Sequence, residues 1–215
     1  MITQELYEKY FQHLLQGNRP ACTKIVQNLL DKKVDIKSLY VDLFQKSLYK
    51  IGELWEYNKI TVAREHMVTA LTESLMSMAY PYLFEISTSK EINKKALISC
   101  TANEHHQVGG KMVADIFEMQ GWDTQFLGAN TPADHMLSYI QEVKPEIVGL
   151  SLSVYFNLPS LKYEIEAVRT DFSNIDIIVG GQAFKWGGTE ILKKYPGISY
   201  IQSLDSLEKQ IKETS

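Results

Sequence analysis

The feature that most constrains this chain is a change of hydrophobic period close to residue 88 of its 215. Before that point apolar residues recur at helical spacing: Leu6, Tyr10 and Leu14, then Ile25 and Leu29, then Leu39, Leu43 and Leu54. Breaks at Gly17-Asn18-Arg19-Pro20, at Lys33 to Asp35 and at Tyr57-Asn58-Lys59 divide this half into four helices with short connections, which predicts a four-helix bundle over residues 1–88. Ser87-Thr88-Ser89-Lys90 is small and polar and reads as a linker.

After the linker, short β-rich runs alternate with amphipathic segments. The runs are Ala96–Ser99, Thr124–Leu127, Ile147–Leu150, Ile177–Val179 and, more weakly, Ile198–Ile201. Helical patterns fall at about 107–120, 132–143, 158–171, 184–194 and 204–213. The expected fold class is α/β: the bundle, then a Rossmann-like (flavodoxin-like) domain over 92–215 with a five-stranded parallel sheet covered on both faces. In such sheets ligands sit outside the carboxyl ends of the strands, so the loops at 101–109, 128–132, 151–157 and 180–184 are the ones to inspect.

Composition narrows the function classes. With 45% hydrophobic and 22% charged residues the chain is neither disordered nor fibrous. Its net charge of −4 is spread without long basic runs, which argues against a direct nucleic-acid surface. Cys22 and Cys100 have no C-x-x-C partner and are too few for a disulfide framework, and no run approaches the roughly 20 apolar residues of a membrane span. A cytoplasmic location without membrane attachment is expected.

The first of the four loops is dense in chemistry: Thr101-Ala102-Asn103-Glu104-His105-His106-Gln107-Val108-Gly109-Gly110. A metal-ligating histidine normally donates its second ring N–H to a carboxylate, and Glu104 stands two residues from His106. Gly109 and Gly110 remove Cβ atoms near the start of the next helix, where a bulky ligand could approach the backbone. The residues leave two plainer alternatives open, a solvated helix cap and a zinc site. Zinc usually requires at least three protein ligands, and no Cys or H-E-x-x-H pattern supplies them.

Glu104-x-His106-x-x-Gly109 resembles the D-x-H-x-x-G signature of cobalamin-binding domains, with Glu for Asp. Ser151-Leu152-Ser153 is similar to that family's S-x-L element, with Ser153 in place of Leu, and Gly180-Gly181-Gln182 to its paired-glycine element. The resemblance implies that His106 ligates cobalt from below and that His105, Gln107 and the later loops line the cofactor. In the helical half, Trp55, nine further residues and Glu65-His66 resemble the signature of the cobalamin photoreceptors related to CarH and the AerR-type regulators. Val62, Glu65 and His66 stand at i, i+3 and i+4 and share one helix face. The resemblance implies that Trp55 and Val62 pack against a 5′-deoxyadenosyl group, that Glu65 hydrogen-bonds to it, and that His66 takes the vacated metal position after light breaks the cobalt–carbon bond. Adenosylcobalamin is thus the expected cofactor.

The expected function is light sensing rather than enzymatic catalysis. A void left under Trp55 would be worth several kcal/mol and would favour rearrangement of the bundle. The bundle begins within a few residues of Met1 and no basic recognition helix is evident, so the expected output runs through a homo-oligomer, a dimer or tetramer, or a separate regulator protein. The alternative is a corrinoid protein carrying methyl groups for methyltransferases, although a bulky cap with a second potential ligand would obstruct transfer. Haem sensing through His66 and His106 and an isomerase subunit are further alternatives. His13 and His135 read as solvated helix positions, Trp122 and Trp186 as packing in the sheet domain, Cys100 as a small buried residue, and Met67, Met76 and Met78 as core filler.

Overall fold

The structure is a computed structural model that describes residues 1–87 and 92–214, the side chain of residue 214 excepted. It divides into two units, Met1–Glu85 and Ile86–Ser215. Ser87 closes a helix, and residues 88–90 of the expected linker lie outside the described residues.

Four helical runs make up the first unit among the described residues. They are α1 (Gln4–Gln16), α2 (Arg19–Asp31), a run from α3 (Ile36–Ser38) through α4 (Lys46–Glu56), and a run from α5 (Val62–Met76) through α6 (Tyr80–Ser87). The breaks are set by local chemistry. Thr3, Asn18, Asp35 and Thr61 each accept a backbone N–H of the following turn and so start α1, α2, α3 and α5. Gly17 ends α1 at φ +72°, a conformation open to glycine, and a Cβ there would stand 3.1 Å from the Met67 sulfur.

Between α3 and α4 the chain winds as a π-helix over Leu39–Gln45, which the hydrophobic period did not reveal. Its Leu39, Tyr40, Leu43 and Phe44 are fully buried and join Tyr10 and Leu14 in the bundle core. In α2 the buried stripe is Cys22, Val26, Leu29 and Leu30, so Ile25, expected inside, is only half-buried. His13 departs from the expected solvated position: it is half-buried, with a buried Nδ1 that lacks a hydrogen-bond partner. His135 is exposed as expected, and Met76 is core while Met67 and Met78 are half-buried.

The second unit runs β1 (Lys95–Cys100), α7 (Val108–Met119), β2 (Asp123–Phe126), α8 (Ala133–Val143), β3 (Ile147–Ser151), α9 (Leu158–Asp171), β4 (Asp176–Gly180), α10 (Thr189–Leu192), β5 (Ile198–Ile201) and α11 (Leu204–Thr214). All pairings are parallel and the strand order is β2-β1-β3-β4-β5, the flavodoxin-like order. β3 is buried along its whole length, and Val148, Leu150, Ile177 and Val179 pack with Leu161 and Ile165 of α9. The expected helix at 184–194 is broken in two: a 3-10 turn over Gln182–Trp186, then the short α10. Gly187 and Gly188, at φ +114° and +94°, interrupt it. Trp186 is correspondingly 72% exposed rather than packed, whereas Trp122 is buried edge-on against Phe117. Among the described residues no helix is long and apolar enough to cross a membrane.

Register then places the loops. Cys100 aligns with Ser151, and Ser151 with Gly180, so β1, β3 and β4 end at one level and their following loops emerge side by side. β1 and β3 are neighbours whose onward connections diverge, to β2 on one side and β4 on the other. That divergence is the switch point at which such sheets open a ligand crevice.

Candidate functional site at the switch point

Glu104 spans the gap between the loops after β1 and β3. One carboxylate oxygen accepts the backbone N–H of His106 at 2.9 Å and lies 2.6 Å from His106 Nδ1. The other accepts the N–H groups of Ser153 and Val154, each at 2.8 Å. The carboxyl is 0% exposed. Burial alone would raise its pKa, but the His106 ring and the N–H groups of His106, Val154 and Ser153 outweigh it and hold the group at about 2. A permanent carboxylate therefore faces Nδ1 and orients the ring so that Nε2 is the nitrogen suited to a metal. The His106 side chain is 53% exposed, unlike its partner.

The backbone around this pair is fixed from several directions. Asn103 is in the left-handed region at φ +66°, and its N–H donates to Asn130 Oδ1 at 2.8 Å. Asn130, at φ +51°, also donates its own N–H to the Glu104 carbonyl at 2.8 Å. Asn157 Nδ2 donates to the Asn103 carbonyl at 2.9 Å. The Ala102 N–H donates to Glu164 of α9 at 2.7 Å. Burial pushes the Glu164 carboxyl up to about 7 against the pull of that N–H. These four residues were absent from the sequence-based candidates. Only Glu164 carried a readable signal, a carboxylate on the apolar stripe of Leu161, Ile165 and Val168.

The remaining candidates sort by what they touch. Gly109 and Gly110 do different things: a Cβ on Gly109 meets nothing within 4 Å, whereas on Gly110 it would stand 3.1 Å from Phe126 and 3.4 Å from the Cys100 sulfur. Gly109 thus leaves room at the mouth, and Gly110 lets α7 sit on the sheet. Cys100 is buried, and burial with the nearby Glu104 and Glu164 charges pushes its thiol up to about 12, so it is an inert packing residue. Ser151 is buried at the strand end, while Ser153 contributes its backbone N–H, which any residue at that position could give. Gly181 has φ +118°, and a Cβ there would fall 2.1 Å from the Leu152 carbonyl oxygen. The paired glycines let the loop after β4 cross the loop after β3, whose Leu152 carbonyl accepts the Ala183 N–H. Gly180 sits at the strand end and Gln182 opens the 3-10 turn, half-buried. His105 is exposed and Gln107 half-buried, with its Oε1 close to Gly128.

In the helical unit Trp55 lies in the last turn of α4, and Val62, Glu65 and His66 in the first turns of α5, flanking one corner. Trp55 is 47% exposed rather than a core aromatic, and Val62 is also exposed. His66 Nδ1 lies 2.5 Å from Glu65 Oε2, and Thr69 donates its hydroxyl to the other Glu65 oxygen at 2.9 Å.

Among the described residues no group of three or more His, Cys, Asp or Glu is placed to hold a metal ion. Single imidazoles suit a metal whose other ligands come from a macrocycle. Residues 94–205 match a B12 binding domain family, and residues 6–80 match a second B12 binding domain family. The chain is 33% identical over 152 residues to the HTH-type transcriptional repressor CarA of Myxococcus xanthus, covering 69% of this chain and 50% of that protein. It is 23% identical over 135 residues to the HTH-type transcriptional repressor CarH of the same organism, covering 62% and 43%. The chain thus spans about half the length of these regulators or less. Its fold is shared with the monomethylamine corrinoid protein of Methanosarcina barkeri, with a TM-score of 0.85 at 12% identity over 99% of each chain.

Proposed function

Because the chain belongs to the B12 binding domain family and is a cobalamin-binding protein by that membership, we propose that it works as a light sensor loaded with adenosylcobalamin, rather than as an enzyme. The residues fit the group: a carboxylate-oriented imidazole at the switch point, and a glycine beside it with open space where a side chain would stand. When bound, adenosylcobalamin supplies a cobalt–carbon bond that light breaks. Glu104 keeps Nδ1 of His106 engaged, so Nε2 would be the nitrogen that holds the cobalt. Trp55 and Val62 offer apolar surface to the adenosyl group, and Glu65 a carboxylate. His66 would offer the cobalt a second imidazole.

The observation that carries this reading is the Glu65–His66 pair, a largely covered carboxylate holding a 72% exposed imidazole, in the first turns of the helix that follows the half-exposed Trp55. Carriage of methyl groups, the second reading, takes its support from the fold shared with the monomethylamine corrinoid protein. A methyl carrier presents its upper face to a partner enzyme and has no use for a second imidazole there. Signal output through a homo-oligomer or a separate regulator protein belongs to the same proposal.

The test is reconstitution of wild type and His66→Ala with adenosylcobalamin, followed by green light. Both proteins should lose the spectrum of the alkylated cofactor, only wild type should gain that of a cobalt held by two histidines, and the size-exclusion elution of wild type should change with light. Identical end spectra with unchanged elution would refute light sensing.

A further inference from the structure

The turn that carries His106 is held by groups belonging to other loops, and this arrangement exceeds what chain continuity needs. Asn130 clamps it at two successive residues: its side-chain oxygen takes the Asn103 N–H at 2.8 Å, and its own N–H gives to the Glu104 carbonyl at 2.8 Å. Asn157, from the loop after β3, takes the peptide between by donating to the Asn103 carbonyl at 2.9 Å. Asn103 itself, at φ +66°, adopts a backbone conformation that asparagine tolerates better than most residues. Glu104 then carries the result to His106.

We propose that Asn130 and Asn157 are positioning residues for the axial histidine: by fixing Asn103 and Glu104 from the loops after β2 and β3, they set the orientation in which His106 meets the cobalt. This rests on the reading of His106 as the lower ligand. Neither asparagine touches the metal. Each acts by restricting the turn, so that little ordering remains to be done when the ring binds.

Asn130→Gly keeps the left-handed backbone and the N–H to Glu104 while removing only the side-chain acceptor. Asn130→Asp restores an acceptor at the same place. The full chain, labelled with 15N-histidine, is loaded with cob(II)alamin obtained by reducing hydroxocobalamin. In its electron paramagnetic resonance spectrum, splitting by a 15N nucleus reports ligation by a protein histidine rather than by the cofactor's own 14N base. The apo protein is followed in parallel by thermal unfolding and by the ring-nitrogen shifts of His106.

Asn130→Gly should lower the ratio of histidine-ligated to unligated cofactor by roughly three- to tenfold, the worth of one hydrogen bond. Asn157→Ala should lower it by a similar factor, and Asn130→Asp should stay within about twofold of wild type. The apo transition should be retained, and the His106 ring shifts of the Gly and Ala variants should move toward those of an unrestrained imidazole. Unchanged ratios in both Asn130→Gly and Asn157→Ala would overturn the inference, as would an equal loss in Asn130→Asp. Absence of 15N splitting in wild type that still binds the cofactor would instead overturn the His106 assignment beneath it.

Discussion

The two units carry the same chemical pair, a glutamate and a histidine, in opposite settings. In the sheet unit the carboxylate is fully buried, tied to three backbone N–H groups and bonded to a ring two residues on. In the helical unit the pair are sequence neighbours on the first turns of α5, the carboxylate pairs with His66 and accepts the Thr69 hydroxyl, and the imidazole is 72% exposed. Under the proposed function, one setting would suit a fixed ligand and the other a responsive one. The difference lies in what surrounds the carboxylate, since the imidazoles are alike.

The largest expected effect comes from attacking the buried carboxylate. Glu104→Gln places an amide NH2 where backbone donors already point, and the sheet unit should lose about 3 kcal/mol at pH 7, as a pKa held at about 2 against an ordinary 4.5 implies. The folded-state pKa is depressed, so this stability is present in full above about pH 4.5 and is lost as pH falls through about 2. Urea unfolding should therefore show wild type and variant far apart at pH 7 and converging toward pH 2. A constant gap across that range would mean that the loss is one of packing rather than charge.

Cofactor affinity should separate the two pairs next. Removing the carboxylate behind a ligating histidine typically costs 10- to 100-fold in metal affinity, about 1.4–2.8 kcal/mol. Glu104→Gln should weaken hydroxocobalamin binding by that range in an absorbance titration, while His66→Ala should stay within about twofold in the dark. Equal losses in both would remove the distinction between a fixed and a responsive histidine.

The same contrast explains what could be read from the residues alone. The strands of the sheet and the pairing of Glu104 with His106 were legible because each is a short-range pattern: a short β-rich apolar run bounded by turns, and a carboxylate two positions from an imidazole. The π-helix at Leu39–Gln45 was not, because its buried pairs Leu39-Tyr40 and Leu43-Phe44 recur four residues apart, a spacing that an α-helix also gives. The break of the expected 184–194 helix was signalled by Gly187 and Gly188, which an amphipathic reading of the flanks overrode. Asn103, Asn130 and Asn157 were illegible for a different reason. Their bonds join residues 27 and 54 positions apart, and only the closure of a parallel sheet brings those loops together.

Gly180 and Gly181 show how a motif can be read correctly in place and incompletely in role. The pair stands at the expected strand end, but the position of the Gly181 Cβ, 2.1 Å from the Leu152 carbonyl oxygen, makes it a crossing point of two loops whatever it later touches. Ser153 shows the reverse: its departure from the family pattern leaves the bond that matters intact, because that bond is made by backbone.

The smallest effect should come from the helical pair, and its smallness is the sharpest check on the comparison. Glu65 is largely covered at 17% exposure, but its partner His66 is 72% exposed, and a pair screened by solvent on one side is worth about 0.2–1 kcal/mol. Glu65 also accepts the Thr69 hydroxyl, a bond that glutamine can keep through its remaining oxygen. Glu65→Gln should thus change the unfolding free energy of the helical unit by no more than about 0.5 kcal/mol, measured in urea without cofactor. A loss approaching that of Glu104→Gln would show that α5 depends on this carboxylate for its fold. The helical pair would then be structural, and its availability to answer the loss of an upper ligand would go with it.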